Sequence, residues 1–515
     1  MTHIPPALDK HYVPSATHDA QRSRSGCMPD TRIPVLKRIV DWAQDAQGPA
    51  VFYLAGMAGT GKTSIALTIC RRLGELGIML GGSFFCSRSS GVEAQRDTRN
   101  IIPTLAALLS RELEDFAIAL STELSGDRDL AHKQVEVQLY SLLRGPLASV
   151  EAPCGPIIFV VDALDECSDE LATSEFIEVL VNFCRSNSKI PVKFMITSRP
   201  ETHIRETPIS DETISSVLEL HNIDASQVTE DIHLYIERTL ANSSGTREWY
   251  TTNDVGTITR LSGTLFIFAA TALAYILGRK DSAGRADRLL NLLTQVKPSR
   301  VVTGPLDDMY LLIITQASSP DAVEEEELDE TRHLLASLLS TQMPLSVATL
   351  AELLNLPAAR LRGSLDRLHA VVHVPKDDDS RTLRPLHASF GDFLFSRAPS
   401  NVAIARSLGH DLLSASCLKR MAVKDLCFNV SQSKSSYTAT SHQSSKFALS
   451  LQYACLYWSH HVVAASDPSA FDAQITKTFR PKFLFWLEVL SVLGEIGRVS
   501  GVLLTVAASV RTCLS

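Results

Sequence analysis

From residue 56 to residue 63 the chain reads Gly56-Met57-Ala58-Gly59-Thr60-Gly61-Lys62-Thr63, and few octapeptides restrict a fold so tightly. The spacing lets a backbone wrap a phosphate group with a cation and a hydroxyl beside it. It carries that meaning only between a buried strand and a helix; elsewhere it is a glycine-rich turn with a stray lysine. Val51-Phe52-Tyr53-Leu54-Ala55 supplies an apolar strand ahead of it. Ser64 to Leu73 supplies the helix, with Ile65, Ile69 and Leu73 on one face. Gly56, Gly59 and Gly61 then allow the close approach. Amides from Thr60 to Ser64 point at phosphate oxygens from a helix N-terminus. Lys62 places its ammonium on the β- and γ-phosphates, and the Thr63 hydroxyl binds Mg2+.

A second constellation is Asp162-Ala163-Leu164-Asp165-Glu166, after the apolar run Ile157 to Val161. A run of that kind reads as a central parallel strand buried on both faces. An acid at its end is costly unless something positive faces it. In a phosphate-loop protein that partner is Mg2+, so Asp162 is assigned to the metal. Asp165 or Glu166 orients or deprotonates an attacking water. Arg199 ends the next strand, Val192 to Thr197, where a guanidinium bonds or senses the γ-phosphate. The plainer readings are a solvated acidic turn and a surface arginine capping a strand.

Further strands are expected at Gly82 to Cys86 and Ser216 to Leu220, with helical spacing at Ile101, Leu105, Leu108 and Leu109. Strands alternating with helices predict an α/β P-loop NTPase fold, a doubly wound parallel sheet with its ligand edge at the strands' carboxyl ends. Thr31 is expected to cap a preceding helix with the apolar face Leu36, Ile39, Val40 and Ala43. Beyond residue 222 the pattern is helical. After the acidic run Glu324 to Glu330 come three helical patterns (Thr331–Leu339, Val347–Leu354, Pro357–Leu368). Two short strands follow, Val371–Val374 and Thr382–Leu386, about the turn Lys376 to Ser380, which is a winged-helix pattern. The expected divisions are a disordered lead-in at 1–26, a nucleotide domain at 27–221, a helical domain at 222–305, a winged-helix domain at 306–398 and an α-helical C-terminal region at 399–515. Ser431 to Ser445 reads as a polar loop within the last.

The net charge of -8 argues against a protein held to nucleic acid by phosphate neutralisation. Ten scattered cysteines without a C-x-x-C pair suit a reducing compartment. The longest uncharged apolar run, Leu265 to Leu277, is too short for a membrane span and reads as a buried helix. With no apolar leader, a cytoplasmic protein is expected.

The order of these motifs is more specific than any one of them. GMAGTGKT, then FVVDALDE, then MITSRP resembles the NACHT subdivision of the STAND signal-transducing NTPases, and within it the nephrocystin-like proteins often fused to WD repeats. Cys27-Met28-Pro29-Asp30-Thr31-Arg32 resembles that family's entry segment. Leu265 to Thr271 resembles its helical-domain motif, and Leu386-His387-Ala388-Ser389-Phe390 the motif closing its winged helix. The resemblance implies a switch, closed on ADP and opened by ATP for homo-oligomerisation, with slow hydrolysis and a role in innate-immune or non-self signalling. It implies that His387 contacts the ADP β-phosphate; otherwise that histidine packs the end of the wing. Protein partners are expected but not identified. The family's effector and repeat sensor are not recognisable here, so a truncated chain is expected.

Other classes make different demands. A GTPase needs an N-K-x-D motif, which is absent from the sequence. A small-molecule kinase is usually a compact domain without a winged helix. A winged-helix DNA-binding regulator would use Arg360, Arg362 and Arg367 on its recognition helix. A nucleotide-bound scaffold that does not hydrolyse shares nearly all the residues of the switch, so kinetics alone separates those two.

Overall fold

In the computed structural model, residues 26–87, 93–150, 155–186, 192–211, 214–243, 249–278, 284–298, 304–317, 325–375, 382–430 and 447–512 are described. They form two units, Met1–Leu273 with Lys297–Pro305, and Ala274–Val296 with Leu306–Ser515.

The first unit is built on a parallel sheet. Helix α1 (Ile33–Gln44) precedes β1 (Val51–Ala55), and the phosphate-loop string leads from β1 into α2 (Lys62–Glu75). Then come β2 (Leu80–Phe85), α3 (Ile101–Glu112), α4 (Glu114–Gly126), β3 (Ile157–Asp162), α5 (Glu170–Ser186), β4 (Val192–Ser198) and β5 (Ser215–Glu219). The strand order is β2-β3-β4-β1-β5, with every pairing parallel. Alternate residues face opposite layers, as strand geometry requires. Phe52 and Leu54 of β1, with Ile158 and Val160 of β3, pack on α1 and α2. Val51, Tyr53, Phe159, Val161, Phe194 and Ile196 pack on α3, α4 and α5. Both faces of β1 and β3 are therefore buried, which is why these strands read as continuous apolar runs.

The register brings the chemistry to one edge. Ala55 lies opposite Ser198, and Phe85 opposite Asp162. Because β4 stands between β1 and β3, the loop after β1 and the acid ending β3 are two strand spacings apart, about 10 Å. Three helices complete the nucleotide side of the chain: α6 (Ala225–Ser243), α7 (Thr252–Ser262) and α8 (Phe266–Leu277). The run Leu265 to Leu277 is thus a helix with Leu265, Phe268, Ala269, Ala272 and Leu273 buried.

One expected contact is different. Thr31 does not cap α1; its hydroxyl donates to the Met28 carbonyl at 2.7 Å. The N-cap is Arg32, in the left-handed region at φ 59°, with no side-chain cap bond. Turning Arg32 this way sends its side chain into the unit (below), and Thr31 is satisfied within its own turn. At the other end of α1 the buried Lys193 of β4 donates to the Trp42 carbonyl at 3.0 Å, a cation on helix-terminal carbonyls.

The second unit is helical. It contains α9 (Arg285–Gln295), α10 (Gly304–Ala317), α11 (Glu325–Ser340), α12 (Val347–Leu354) and α13 (Ala358–Arg367). Then follow β6 (Val372–His373) and β7 (Arg384–Pro385), antiparallel, and α14 (Ala388–Ser396). Three helices before a two-stranded ladder is the order expected from the sequence, although α11 begins inside the acidic run. The last elements are α15 (Arg406–Ala422), α16 (Leu449–Val463), α17 (Asp472–Leu493) and α18 (Val499–Thr512). Trp458 and Trp486 anchor this part, both fully buried, with the Trp486 indole donating to the Cys455 carbonyl at 2.9 Å. The lead-in up to residue 25, the turn Lys376 to Ser380 and the loop Ser431 to Ser445 lie outside the described residues.

Phe159 and Phe194 stack at 5.2 Å between the adjacent strands β3 and β4. Phe159→Ala is expected to cost about 3–5 kcal/mol, measured as a lower denaturation midpoint of the sheet-containing unit.

Candidate functional site

The string from Gly56 to Thr63 forms the predicted turn from strand to helix. Gly59 and Gly61 take φ of 81° and 92°, where a side chain is disfavoured. At Gly61 a Cβ would meet no atom within 4 Å, so that residue faces open space. At Gly59 a Cβ would stand 2.1 Å from Ile267 Cγ2, so only glycine fits against α8. No side chain caps α2, and its first internal bond runs from Ile65 N–H to the Gly61 carbonyl at 3.0 Å. The amides of Lys62, Thr63 and Ser64 are those that helix geometry leaves without an internal acceptor. Their positive end is an anion site.

Lys62 is buried, and its ammonium donates to the Gly56 and Met57 carbonyls at 2.5 and 3.2 Å. Burial lowers its pKa, opposed chiefly by the charges of Asp165 and Asp162. Asp162 is fully buried at the end of β3. Its Oδ1 accepts from the Thr197 hydroxyl at 2.7 Å, and that hydroxyl accepts from Ala163 N–H at 3.0 Å. Ala163 is left-handed at φ 55°. This starts the short turn Leu164–Glu166, which carries the other two acids. They differ in setting. Asp165 is buried and holds Arg199 twice, accepting from its backbone N–H at 2.9 Å and pairing with Nε at 3.1 Å. Glu166 is half-buried.

Two groups from outside the sheet reach the loop's carbonyls. Arg32 is buried and donates from Nη2 to the Thr60 carbonyl at 2.8 Å, with its guanidinium 4.7 Å from the Phe266 ring centroid. Its own N–H donates to Asp231 of α6 at 3.1 Å. Burial pushes the Arg32 pKa down and Asp231 opposes that. Ile267 N–H donates to the Gly59 carbonyl at 3.1 Å. The entry segment is also tied by Cys27 N–H to Thr68 of α2 at 2.8 Å and by Asp30 to Arg238 of α6 at 2.8 Å.

The structure therefore gathers Gly56, Gly59, Thr60, Gly61, Lys62, Thr63 and Ser64 in one turn, and Asp162, Asp165, Glu166 and Arg199 at neighbouring strand ends. His387 belongs to the second unit, where it caps α14: its Nδ1 accepts from Ser389 N–H at 3.1 Å. Sequence reasoning gave no role to Thr197, Arg32 or Asp231. Arg32 fell inside a recognised motif and Thr197 inside MITSRP, but nothing in either string tells what the side chain touches. The donor set fits the implied ligands. Open helix amides and a buried ammonium suit phosphates, while a threonine hydroxyl and a carboxylate are the hard oxygens that Mg2+ takes.

A loop of this kind on this sheet defines a P-loop NTPase domain. Residues 35–199 match the family described as nephrocystin 3, N-terminal. That part of the chain is similar to the N-terminal domain of nephrocystin 3. No curated protein matches the chain. Among solved structures, a STAND protein with a tetratricopeptide repeat sensor from Pyrococcus horikoshii is 12% identical at a TM-score of 0.40 over 96% of this chain, which spans 65% of that protein's length. The Aeropyrum pernix Orc1 protein in complex with DNA is 16% identical, TM-score 0.32, over 75% of this chain and 93% of its own. Cdc6p from Pyrobaculum aerophilum is 14% identical, TM-score 0.30, over 78% and 98% respectively. Among the described residues, no helix is long and apolar enough to cross a membrane.

Thr197→Val keeps the shape and removes the hydroxyl shared by Asp162 and Ala163. It is expected to destabilise the domain by about 1–3 kcal/mol, read by chemical denaturation.

Proposed function

We propose that the chain is an ATP/ADP-dependent switch of the STAND type with slow hydrolysis. The observation that carries this reading is the pair of hydrogen bonds from outside the loop to its carbonyls, Arg32 to Thr60 and Ile267 to Gly59. A loop that only held nucleotide would need neither. Here its conformation is bonded to the entry segment and to α8, so a change in the bound phosphates alters contacts on both. Nucleotide exchange can move such an equilibrium only by the difference in affinity of the two conformations.

The residues divide the work as follows. The amides of Lys62, Thr63 and Ser64 bind phosphate oxygens, and Lys62 exchanges loop carbonyls for the β- and γ-phosphates. Thr63 and Asp162 would hold Mg2+, which when bound offsets the phosphates' negative charge. Glu166 orients or deprotonates the attacking water. Asp165 aims Arg199 at the γ-phosphate side of the edge, because both of its oxygens are engaged with that residue. Adenine rather than guanine, contact of His387 with ADP, homo-oligomerisation in the ATP state, a cytoplasmic setting and an immune or non-self role rest on the resemblance. On the helix expected to read DNA, Arg360 pairs with Glu330 and Arg362 donates to the Pro375 carbonyl at 3.0 Å. Two of the three arginines are thus engaged within the module, which supports an intramolecular use of it.

Denaturing the purified chain and chromatographing what it releases is expected to give ADP in the wild type and none from Lys62→Ala. Equal nucleotide in both would overturn the assignment of the loop. Glu166→Gln is expected to retain nucleotide and slow hydrolysis about 10²–10⁴-fold. Wild-type turnover in that variant would move the base elsewhere, and a wild type that holds ATP without turning it over would favour the scaffold.

A further inference from the structure

Away from the nucleotide domain, the second unit brings three histidines together. His410 lies on α15, and His460 and His461 are consecutive on α16. A ligand-capable nitrogen from each lies within 4.8 Å of the others. The nearest pair is His410 Nδ1 and His461 Nδ1, 3.0 Å apart. His461 is fully buried, His410 half-buried and His460 exposed. Two imidazole nitrogens facing at this distance need either a proton between them or a cation beside them.

Tyr453 holds the far nitrogen of the His461 ring. The Tyr453 oxygen accepts from Gln342 N–H at 3.1 Å, and lies 2.8 Å from His461 Nε2. With Nδ1 of His461 given to an ion, Nε2 would carry the ring proton and donate it to that oxygen. His461 Nδ1, the nitrogen that Tyr453 does not hold, faces His410. Burial and the neighbouring His460 push His410 down to about 4, and burial with both neighbours lowers His461. Neutral imidazole is the form that ligates metal. Asp411, beside His410, is engaged elsewhere: it accepts Ser466 N–H at 2.8 Å and the Ser466 hydroxyl at 2.9 Å. Those bonds tie the chain just beyond α16 back to α15.

We propose that His410, His460 and His461 form a three-imidazole site for a borderline divalent transition ion, Zn2+ foremost, with its fourth position open to water. Two nitrogens on a tetrahedral zinc are about 3.3 Å apart at usual Zn–N lengths. The His410–His461 pair needs only a small opening, and a rotation of the exposed His460 side chain closes the triangle. Three imidazoles select zinc, copper or nickel over Mg2+, so this site is chemically distinct from the nucleotide site. Binding needs no net proton change. Where a ligating nitrogen carries its ring's proton, that proton leaves for solvent and the same ring takes one up at its other nitrogen. The ion exchanges three waters for three nitrogens. Tyr453 is a positioning residue, holding His461 Nε2 and with it the orientation of the ring.

The full chain is stripped with a chelator and titrated with Co2+ and then Zn2+, without nucleotide or Mg2+. The wild type is expected to show the visible absorption of four-coordinate Co2+, bleached by one equivalent of Zn2+. Tyr453→Phe is expected to weaken Zn2+ about 10–100-fold, and His460→Ala, a change at an exposed position, at least as much. Lys62→Ala is expected to bind as the wild type does. No four-coordinate Co2+ spectrum in the wild type, or equal Zn2+ affinity in His460→Ala and wild type, would overturn the site.

Discussion

An ammonium taken out of water must be surrounded by oxygen, and the first unit is arranged about that requirement. Lys62 lies at the start of α2 with the Gly56 and Met57 carbonyls as its nearest acceptors. The acids that oppose its desolvation come from the end of β3. They reach it because β4, inserted between β1 and β3, carries a hydroxyl and an amide at its own end. Thr197 orients Asp162, and the Arg199 amide orients Asp165. Charge, strand order and loop conformation are one construction. Moving any of the three strands would leave a buried charge unopposed, at a cost of several kcal/mol.

Asp165 and Glu166, adjacent in sequence, stand in different surroundings. The left-handed turn at Ala163 sends one carboxylate inward to a guanidinium and leaves the other half-buried at the sheet edge. Hydrogen bonding of this kind separates a positioning group from one able to exchange protons with a substrate water. The division follows from backbone geometry.

The strands were legible because burial on both faces writes itself as an uninterrupted apolar run, as in β1 and β3. The phosphate loop was legible because its glycines, lysine and threonine are fixed by spacing. The sheet order was not, since hydrophobic periodicity says which face is buried and nothing about which strand lies beside which. The Thr31 cap failed because a hydroxyl near a helix start has competing acceptors, and Met28 was nearer. Thr197, Asp231 and the histidines of α15 and α16 are invisible for another reason. Their partners are distant in sequence: Thr197 is 35 residues from Asp162, Asp231 199 from Arg32 and His461 51 from His410.

The bond from Arg32 to Asp231 has a consequence for how the domain is made. The Arg32 amide is translated early, but the Asp231 carboxylate on α6 that accepts from it follows 199 residues later. At about 5–20 residues per second, roughly 10–40 s separate them on the ribosome. For that interval the nascent chain holds a phosphate loop whose entry segment has not met the carboxylate that accepts its amide. The completed pocket is therefore a late product of synthesis, and nucleotide present at the ribosome exit would find it finished only after α6 has emerged.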